Sequence, residues 1–256
     1  MRIHDEELSD VSRYIESHRS LSLSDKEPHY RNLLAYVTPF VKIGPETNIL
    51  EVGTGMGWFP TLCKKNGLRC RGLEISPQLV EFAKQYGREN GVEPDIELGN
   101  IEGADFEPNQ YDVIFCSSVF EHVENWRRGL RNVHRALKPG GVLFFESTNK
   151  FSFTSGEYQF PLYGWLPNRW RYRLRMARQG PDIMKNGVDF HQFTYIGLRR
   201  AFREAGFSKC YDRLDLTDPA KFGGPKRALV SVAKAFPPAG ELILFFFEGT
   251  TFICIK

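Results

Sequence analysis

The stretch Ile49-Leu50-Glu51-Val52-Gly53-Thr54-Gly55-Met56-Gly57 decides the fold. Its apolar part reads as a strand over residues 48–52, and three glycines follow at alternate positions. Residues 59–65 can then start a helix, with Pro60 suited to the first turn. Glycines in such a turn permit positive φ and let a ligand approach the backbone. We therefore predict a strand, a ligand-binding turn and a helix, in that order.

Strand-like and helix-like runs alternate between residues 47 and 149, and this pattern is typical of an α/β fold. It predicts a Rossmann-like, mostly parallel sheet with helices on both faces. Beyond residue 149 a helix is predicted over residues 194–206, and strands over 209–216 and 251–255. Residues 218–248 are predicted to be irregular. The other four strands predicted in the core cover residues 70–75, 95–98, 111–116 and 142–146.

We interpret residues 1–256 as one domain. Its predicted parts are a helical lead-in or cap (1–46), a cofactor-binding core (47–149), an insertion (151–188) and a segment that completes the sheet (189–256). The insertion could be a lid or a membrane-contact segment.

Composition restricts the class of protein. The 256 residues carry 34 Lys+Arg and 31 Asp+Glu, a formal net charge of +3 at pH 7. This near balance gives no reason to expect nucleic acid as a partner. The five cysteines are scattered without zinc-ligand spacing. The longest apolar run, residues 242–247, is far shorter than the roughly 20 residues of a membrane span. We expect a cytoplasmic protein, either soluble or attached peripherally to the inner face of a membrane.

A carboxylate at the end of the second predicted strand indicates an adenosine-containing ligand. Glu74 lies 17 residues after Gly57, where a carboxylate can accept hydrogen bonds from ribose hydroxyls. A dinucleotide-binding turn would read GxGxxG, but Trp58 occupies the position of its last glycine. The spacing therefore argues against a nicotinamide oxidoreductase.

Four segments in order resemble class I S-adenosylmethionine-dependent methyltransferases. They cover residues 49–57, 72–76, 111–123 and 136–144. The resemblance implies a seven-stranded sheet with an antiparallel last strand and S-adenosylmethionine as the cofactor. It places the glycines beneath the methionine part, Glu51 at the amino group, Glu74 at the ribose and Ile75 against the adenine. Ser117 would line the methyl-donor site. The cofactor-binding residues it implies are Glu51, Gly53, Gly55, Gly57, Glu74, Ile75, Asn100, Ile101 and Ser117.

Within that family, residues 120–124 and 138–149 are most similar to quinol O-methyltransferases of ubiquinone biosynthesis. Some of those enzymes have an acidic metal ligand three residues before the Glu of a Glu-His pair. Ser118 stands at that position here, so we predict no metal.

Two histidines are candidates for the base that removes a proton from the acceptor. His122 follows the fourth strand, and His191 precedes the late helix, with Asp189 near enough in sequence to orient it. Histidine has a suitable pKa for this role. Either ring could instead only pack its loop. In the lead-in, His29 and Tyr30 could close over the cofactor or simply pack.

Residues 165–178 combine five arginines with aromatic side chains and no acid. Trp165, Trp170, Arg171 and Arg175 could contact a membrane interface or a substrate phosphate. Stacking on nucleic-acid bases, a solvated lid helix and a dimer contact are the alternatives.

The sequence as a whole favours an O-methyltransferase that acts on a small or lipid-linked acceptor, such as a quinol, an isoprenoid or a polyprenyl-linked sugar. An N- or C-methyltransferase of a small metabolite is one alternative, and a non-catalytic adenosyl-binding scaffold is another. The oligomeric state stays open.

Overall fold

The computed structural model describes residues 11–154, 160–180 and 188–256. Its strands are β1 Asn48–Val52, β2 Arg69–Glu74, β3 Asp95–Leu98, β4 Tyr111–Ser117, β5 Leu137–Ser147, β6 Lys209–Asp212 and β7 Thr250–Ile255. Its α-helices are α1 Ser12–His18, α2 Leu23–Val37, α3 Trp58–Lys65, α4 Pro77–Glu89, α5 Trp126–Ala136, α6 Asn168–Gln179, α7 Tyr195–Ala205, α8 Arg213–Leu216, α9 Gly224–Ala235 and α10 Pro237–Phe246.

The seven strands form one sheet in the order β3-β2-β1-β4-β5-β7-β6. β1 pairs in parallel with β2 on one side and with β4 on the other. β7 runs antiparallel to both β5 and β6. The predicted mostly parallel sheet with an antiparallel last strand is confirmed. Because the chain leaves β1 in one direction and later returns on its other side, the carboxyl ends of β1 and β4 flank the switch point where ligands bind in such folds.

Helices cover both faces of the sheet, as predicted. On one face, α5 and α7 bury Leu130, Val133 and Phe202 against the sheet. On the other, α2 and α3 bury Leu33 and Phe59. The central strands are therefore apolar on both faces, which explains their continuous hydrophobic sequence.

The residues predicted to begin and end helices form the expected capping interactions. The Ser76 hydroxyl accepts the Leu79 N–H at 3.4 Å, and Pro77 is the first residue of α4. The Thr194 hydroxyl accepts the Gly197 N–H at 3.1 Å and begins α7. Gly206 ends α7 at φ +104°. Local capping therefore positions the helices on either side of the sheet.

Two predictions for the C-terminal part are wrong. The strand predicted over residues 209–216 ends at Asp212, whose carboxylate caps α8 by accepting the Leu214 and Asp215 N–H groups. The stretch predicted to be irregular, 218–248, contains α9 and α10. Prolines lie in the first turns of both helices, where a missing N–H costs no hydrogen bond, so they begin these helices rather than interrupt them.

The insertion contains α6 among its described residues. Residues 155–159 and 181–187 of the insertion, and 1–10 of the lead-in, lie outside the described residues, so the prediction for these parts stays a prediction.

Candidate active site

A cavity of about 330 Å³ opens at the carboxyl ends of β1 to β4. Of the residues that the sequence assigned to the cofactor, it is lined by Gly53, Gly55, Glu74, Ile75, Asn100 and Ile101. Of the two candidate bases, His122 lines it as well. The switch point of the sheet thus brings together residues that are up to 69 positions apart.

The glycine turn closes the floor of this cavity. Gly53 has φ +69°, and its N–H donates to the Leu73 carbonyl at 2.8 Å, which ties the turn to β2. A Cβ at this position would lie 2.4 Å from Cγ2 of Val119, so the turn has no room for a side chain. The close approach of the loop after β4 therefore requires glycine here.

Gly57 has a different role from the one that the resemblance implies. It does not line the cavity. A Cβ on Gly57, at φ +75°, would lie 2.6 Å from Cβ of Ala83 on α4. Gly57 thus allows the start of α3 to pack closely on α4.

Glu74 is buried at the end of β2, and its carboxylate holds two turns. Oε2 accepts the Gly55 N–H at 2.8 Å, while Oε1 accepts the N–H groups of Ile75 at 3.0 Å and Ser76 at 3.1 Å. Burial raises the pKa of Glu74, although these three N–H groups act in the opposite direction. A carboxylate has about four acceptor sites, so capacity for ribose hydroxyls remains.

Glu51 lies behind the cavity lining and not on it. The Thr54 hydroxyl donates a hydrogen bond to its carboxylate. Burial, with a smaller contribution from the nearby charge of Glu74, raises the pKa of Glu51 to about 8, although the Thr54 hydrogen bond acts in the opposite direction. Two buried carboxylates beside the glycine turn would stabilise a cationic ligand, and S-adenosylmethionine carries a sulfonium and an ammonium group. The residues present therefore fit this cofactor.

Tyr14 of α1 is a cavity residue that the sequence analysis missed. Its hydroxyl would lie 3.0 Å from a Cβ on Gly55. Burial raises its pKa to about 12, with smaller contributions from Glu74 and Glu51. The lead-in does close over the cavity, but through Tyr14. Tyr30 packs against Phe59 instead, and His29 lies beside Trp58.

Ser117 does not line the cavity. Its hydroxyl donates to Oε2 of Glu146 at 3.1 Å, because the register of β4 and β5 pairs these two residues. The next residue, Ser118, has φ +54° and lines the cavity together with Val119. Of these two serines, only Ser118 is therefore placed at the cavity.

Asn100 lines the cavity after β3, and its Oδ1 accepts the Glu102 N–H at 2.9 Å. An amide oxygen has two lone pairs. Asn100 can therefore still accept a hydrogen bond from an adenine amino group.

The two histidines have different surroundings. His122 is half-buried, and its Nδ1 lies 3.2 Å from the Val188 carbonyl oxygen. A carbonyl only accepts, so Nδ1 carries the hydrogen and Nε2 is the basic nitrogen of the neutral ring. His191 lies outside this cavity, with Nε2 3.0 Å from the Glu124 carbonyl oxygen and its ring against Trp126. The structure therefore supports only His122 as a candidate base.

A second cavity of about 160 Å³ meets the first at Ser118, which lines both. Its walls include Glu146 near the end of β5, together with Glu121 after β4 and Glu248 after α10. Glu121 is fully buried and accepts a hydrogen bond from the Ser147 hydroxyl at 2.6 Å. We call this space the acceptor pocket. Among the described residues, no group of three or more His, Cys, Asp or Glu side chains is placed to hold a metal ion.

The arginines expected at a membrane or phosphate are not available for that contact. Arg171 and Arg175 are buried on α6, and both pair with Asp189, the second at 3.1 Å. Asp189 therefore pairs with two buried guanidinium groups, and no hydrogen bond joins it to His191 among the described residues. Trp165 and Trp170 are exposed, as a contact surface requires.

Comparison with known proteins agrees with this geometry. Residues 50–145 match the model of the methyltransferase domain family. These residues form a methyltransferase domain. The resemblance carried by the four segments is thus confirmed, with S-adenosylmethionine as the cofactor.

The relatives of this methyltransferase domain are distant. The ubiquinone biosynthesis O-methyltransferase of Coxiella burnetii is 28% identical over 121 residues, which are 45% of this chain and 52% of that protein. The chain thus spans about half the length of the curated relatives it matches. An S-adenosylmethionine-dependent methyltransferase from Mesorhizobium loti superimposes with a TM-score of 0.58 at 19% identity, over 92% of this chain and all of that one. The [4+2]-cyclase SpnF superimposes with a TM-score of 0.56 at 19% identity, over 89% of this chain and 80% of that one.

Proposed function

We propose that this protein transfers the methyl group of S-adenosylmethionine to a hydroxyl of a small or lipid-linked acceptor. The observation that carries the proposal is the meeting of the cofactor cavity and the acceptor pocket at Ser118. A methyl donor in the first cavity would face an acceptor in the second across the end of β4. Such alignment of two reactants accounts for much of the acceleration of a displacement reaction.

The residues of the chain have separate parts in this reaction. The cofactor supplies an electrophilic methyl group on a positive sulfur. Glu74 binds the ribose and keeps the glycine turn in place, and Glu51 stabilises the cationic end. Tyr14 covers the glycine turn and excludes water. His122 takes the acceptor's hydroxyl proton at Nε2, because Nδ1 is held by the Val188 carbonyl.

A hydroxyl acceptor is favoured by two observations. His122 lines the cofactor cavity. A neutral hydroxyl is a weak nucleophile, so a base that removes its proton during attack on the methyl group speeds the reaction. The curated relative from Coxiella burnetii is named an O-methyltransferase, which supports a hydroxyl acceptor.

An amine acceptor is the second candidate, and the charge of the acceptor pocket favours it. Glu121, Glu146 and Glu248 line this pocket, and no Lys or Arg is among its described lining residues. A protonated amine would be attracted there and would still have to lose a proton before attack.

The fold alone does not establish methyl transfer, since the [4+2]-cyclase SpnF has the same fold. The test is incubation of the full chain with methyl-tritiated S-adenosylmethionine and separate acceptors: a reduced quinol, a polyprenyl-linked sugar and a primary amine. We expect label in a hydroxylated acceptor and release of S-adenosylhomocysteine. Label in the amine alone would replace the first candidate by the second. Binding of S-adenosylhomocysteine without transfer to any acceptor would indicate the scaffold module.

A further inference from the structure

Helices α9 and α10 expose an unusual amount of apolar surface. Leu229, Val232 and Phe236 recur at helical spacing, so they share one face, and each is 57–58% exposed. Leu242 on α10 is 62% exposed. Along the whole of α9 only Ala233 is fully buried. These helices therefore present to solvent the side chains that a helix normally buries.

The exposed surface continues from α10 onto the insertion. Phe246 lies one turn after Leu242 on the same face of α10. Its ring stacks on Phe153 at a centroid distance of 5.0 Å and lies 6.3 Å from Trp165. Phe153 and Trp165 are both exposed. We call these residues of α9 and α10, together with Phe153 and Trp165, the apolar surface.

Basic groups accompany the apolar surface. α9 carries Lys226, Arg227 and Lys234, all exposed, and it contains no acidic residue. On α6, the exposed Arg169 and Arg173 each lie 5.7 Å from the Trp170 ring. Exposed apolar and aromatic side chains next to Lys and Arg match the boundary between acyl chains and anionic head groups.

The geometry of α9 and α10 favours contact with one leaflet of a bilayer rather than a segment that crosses it. No single described helix is long and apolar enough to cross a bilayer, and α9 and α10 pass that test only as a pair bent by 116°. Helices of 12 and 10 residues extend roughly 18 and 15 Å. The apolar core of a bilayer is about 30 Å thick, so such a bent pair fits the interface.

We propose that the apolar surface docks the protein onto membranes that contain anionic phospholipid. The end of α10 lies beside the acceptor pocket, because the Asn149 side-chain amide donates to the carbonyls of Leu244, Phe245 and Phe247 at 3.0, 3.2 and 2.7 Å. Asn149 also lines that pocket. Docking thus brings the acceptor pocket next to the lipid surface, from which a lipid-linked acceptor would enter. The docking itself does not depend on the proposed methyl transfer.

The test is flotation of the full chain with phosphatidylcholine vesicles, with and without phosphatidylglycerol. We expect binding to the vesicles that contain phosphatidylglycerol, weakened by high salt. The double substitution Leu229→Glu/Val232→Glu should lower the bound-to-free ratio at least about tenfold, because two side chains no longer enter the acyl boundary. Lys226→Glu/Arg227→Glu should lower it by a similar factor at low salt.

The matched control is Leu98→Glu, which changes an equally exposed leucine on β3, at the opposite edge of the sheet. This variant should float like the wild type. Calorimetry with S-adenosylhomocysteine should give equal affinities for all variants and show that they are folded. Absence of binding to vesicles with phosphatidylglycerol would overturn the proposal. So would equal binding by the Leu229→Glu/Val232→Glu variant, or a dimer in light scattering that these substitutions dissociate, since a second copy would then cover the surface.

Discussion

The backbone N–H of Gly55 donates a 2.8 Å hydrogen bond to Oε2 of Glu74, 19 residues later in the chain. The other oxygen of the same carboxylate accepts the N–H groups that begin the turn into α4. One buried side chain therefore joins the turns after β1 and β2, which form adjacent walls of the cofactor cavity. A residue placed to bind a ribose also keeps the binding site assembled.

Gly53→Ala should destabilise the protein by about 1–3 kcal/mol, because a Cβ adds strain at positive φ and overlaps with Val119. Urea unfolding measures the change. Gly67→Ala is the control, since Gly67 has φ +72° and nothing within 4 Å of its Cβ position. The control should lose only about 1 kcal/mol. Equal losses in the two variants would mean that the loop after β4 does not press on the glycine turn.

His122→Asn should lower the rate of methyl transfer by at least about 100-fold and leave S-adenosylhomocysteine affinity unchanged, because a base acts on the acceptor's proton. The fall in rate at acidic pH, which reports protonation of the His122 imidazole, should be absent from the pH–rate profile of this variant. His191→Asn should leave the rate within about threefold, since His191 lies outside the cavity. A slower His191 variant beside a fully active His122 variant would reverse the assignment.

Binding of S-adenosylhomocysteine near pH 7 should release a proton from Glu51. Burial raises the pKa of Glu51 to about 8, so the free protein holds it mostly protonated at pH 7. The ligand's ammonium group favours the ionised form and lowers that pKa. Affinity should therefore rise with pH between about 6 and 8. Calorimetry in buffers of different ionisation enthalpy measures the number of protons released per ligand bound. Glu51→Gln keeps an acceptor for Thr54 and should abolish the release, and an undiminished release would contradict the assignment.

Asp189→Asn should destabilise the protein by about 3–5 kcal/mol, because the buried Arg171 guanidinium would lose the carboxylate with which it pairs. Denaturant unfolding measures the loss. Asp95→Asn removes one of the two surface carboxylates that pair with Arg71, the other being Glu97, and should cost less than about 1 kcal/mol. Similar costs for the two substitutions would show that α6 is not held by a buried ion pair.

Local chemistry made the core of the fold predictable. The strand before the glycine turn, the Ser76 cap and the stop at Gly206 each depend on a few adjacent residues. At the ends of the first three strands, the glycine turn and Glu74 were predicted from their positions after strands, and Ile75, Asn100 and Ile101 from the resemblance of the four segments. Ser118 lines the cavity and Ser117 does not, because the positive φ of Ser118 turns the chain only after the pairing of Ser117 with Glu146 is complete.

Contacts between distant parts of the chain determine the features that the sequence patterns did not predict. Arg171 and Arg175 share a helix face, as their spacing predicts, but Asp189 makes that face a buried one. Tyr14 reaches Gly55 across 41 positions, and its sequence neighbours give no sign of it. Residues 218–248 contain α9 and α10 although they were predicted to be irregular, and the prolines of both helices lie in their first turns, where a proline is tolerated.

The most direct test of the central claim is calorimetry of the wild type and Glu74→Ala with S-adenosylhomocysteine and, separately, with NADH. The site predicts micromolar or tighter binding of S-adenosylhomocysteine and at least about 100-fold weaker binding in Glu74→Ala. It predicts no comparable affinity for NADH, because Trp58 stands where a dinucleotide turn needs its last glycine. Preference for NADH, or undiminished binding of S-adenosylhomocysteine by Glu74→Ala, would contradict the account.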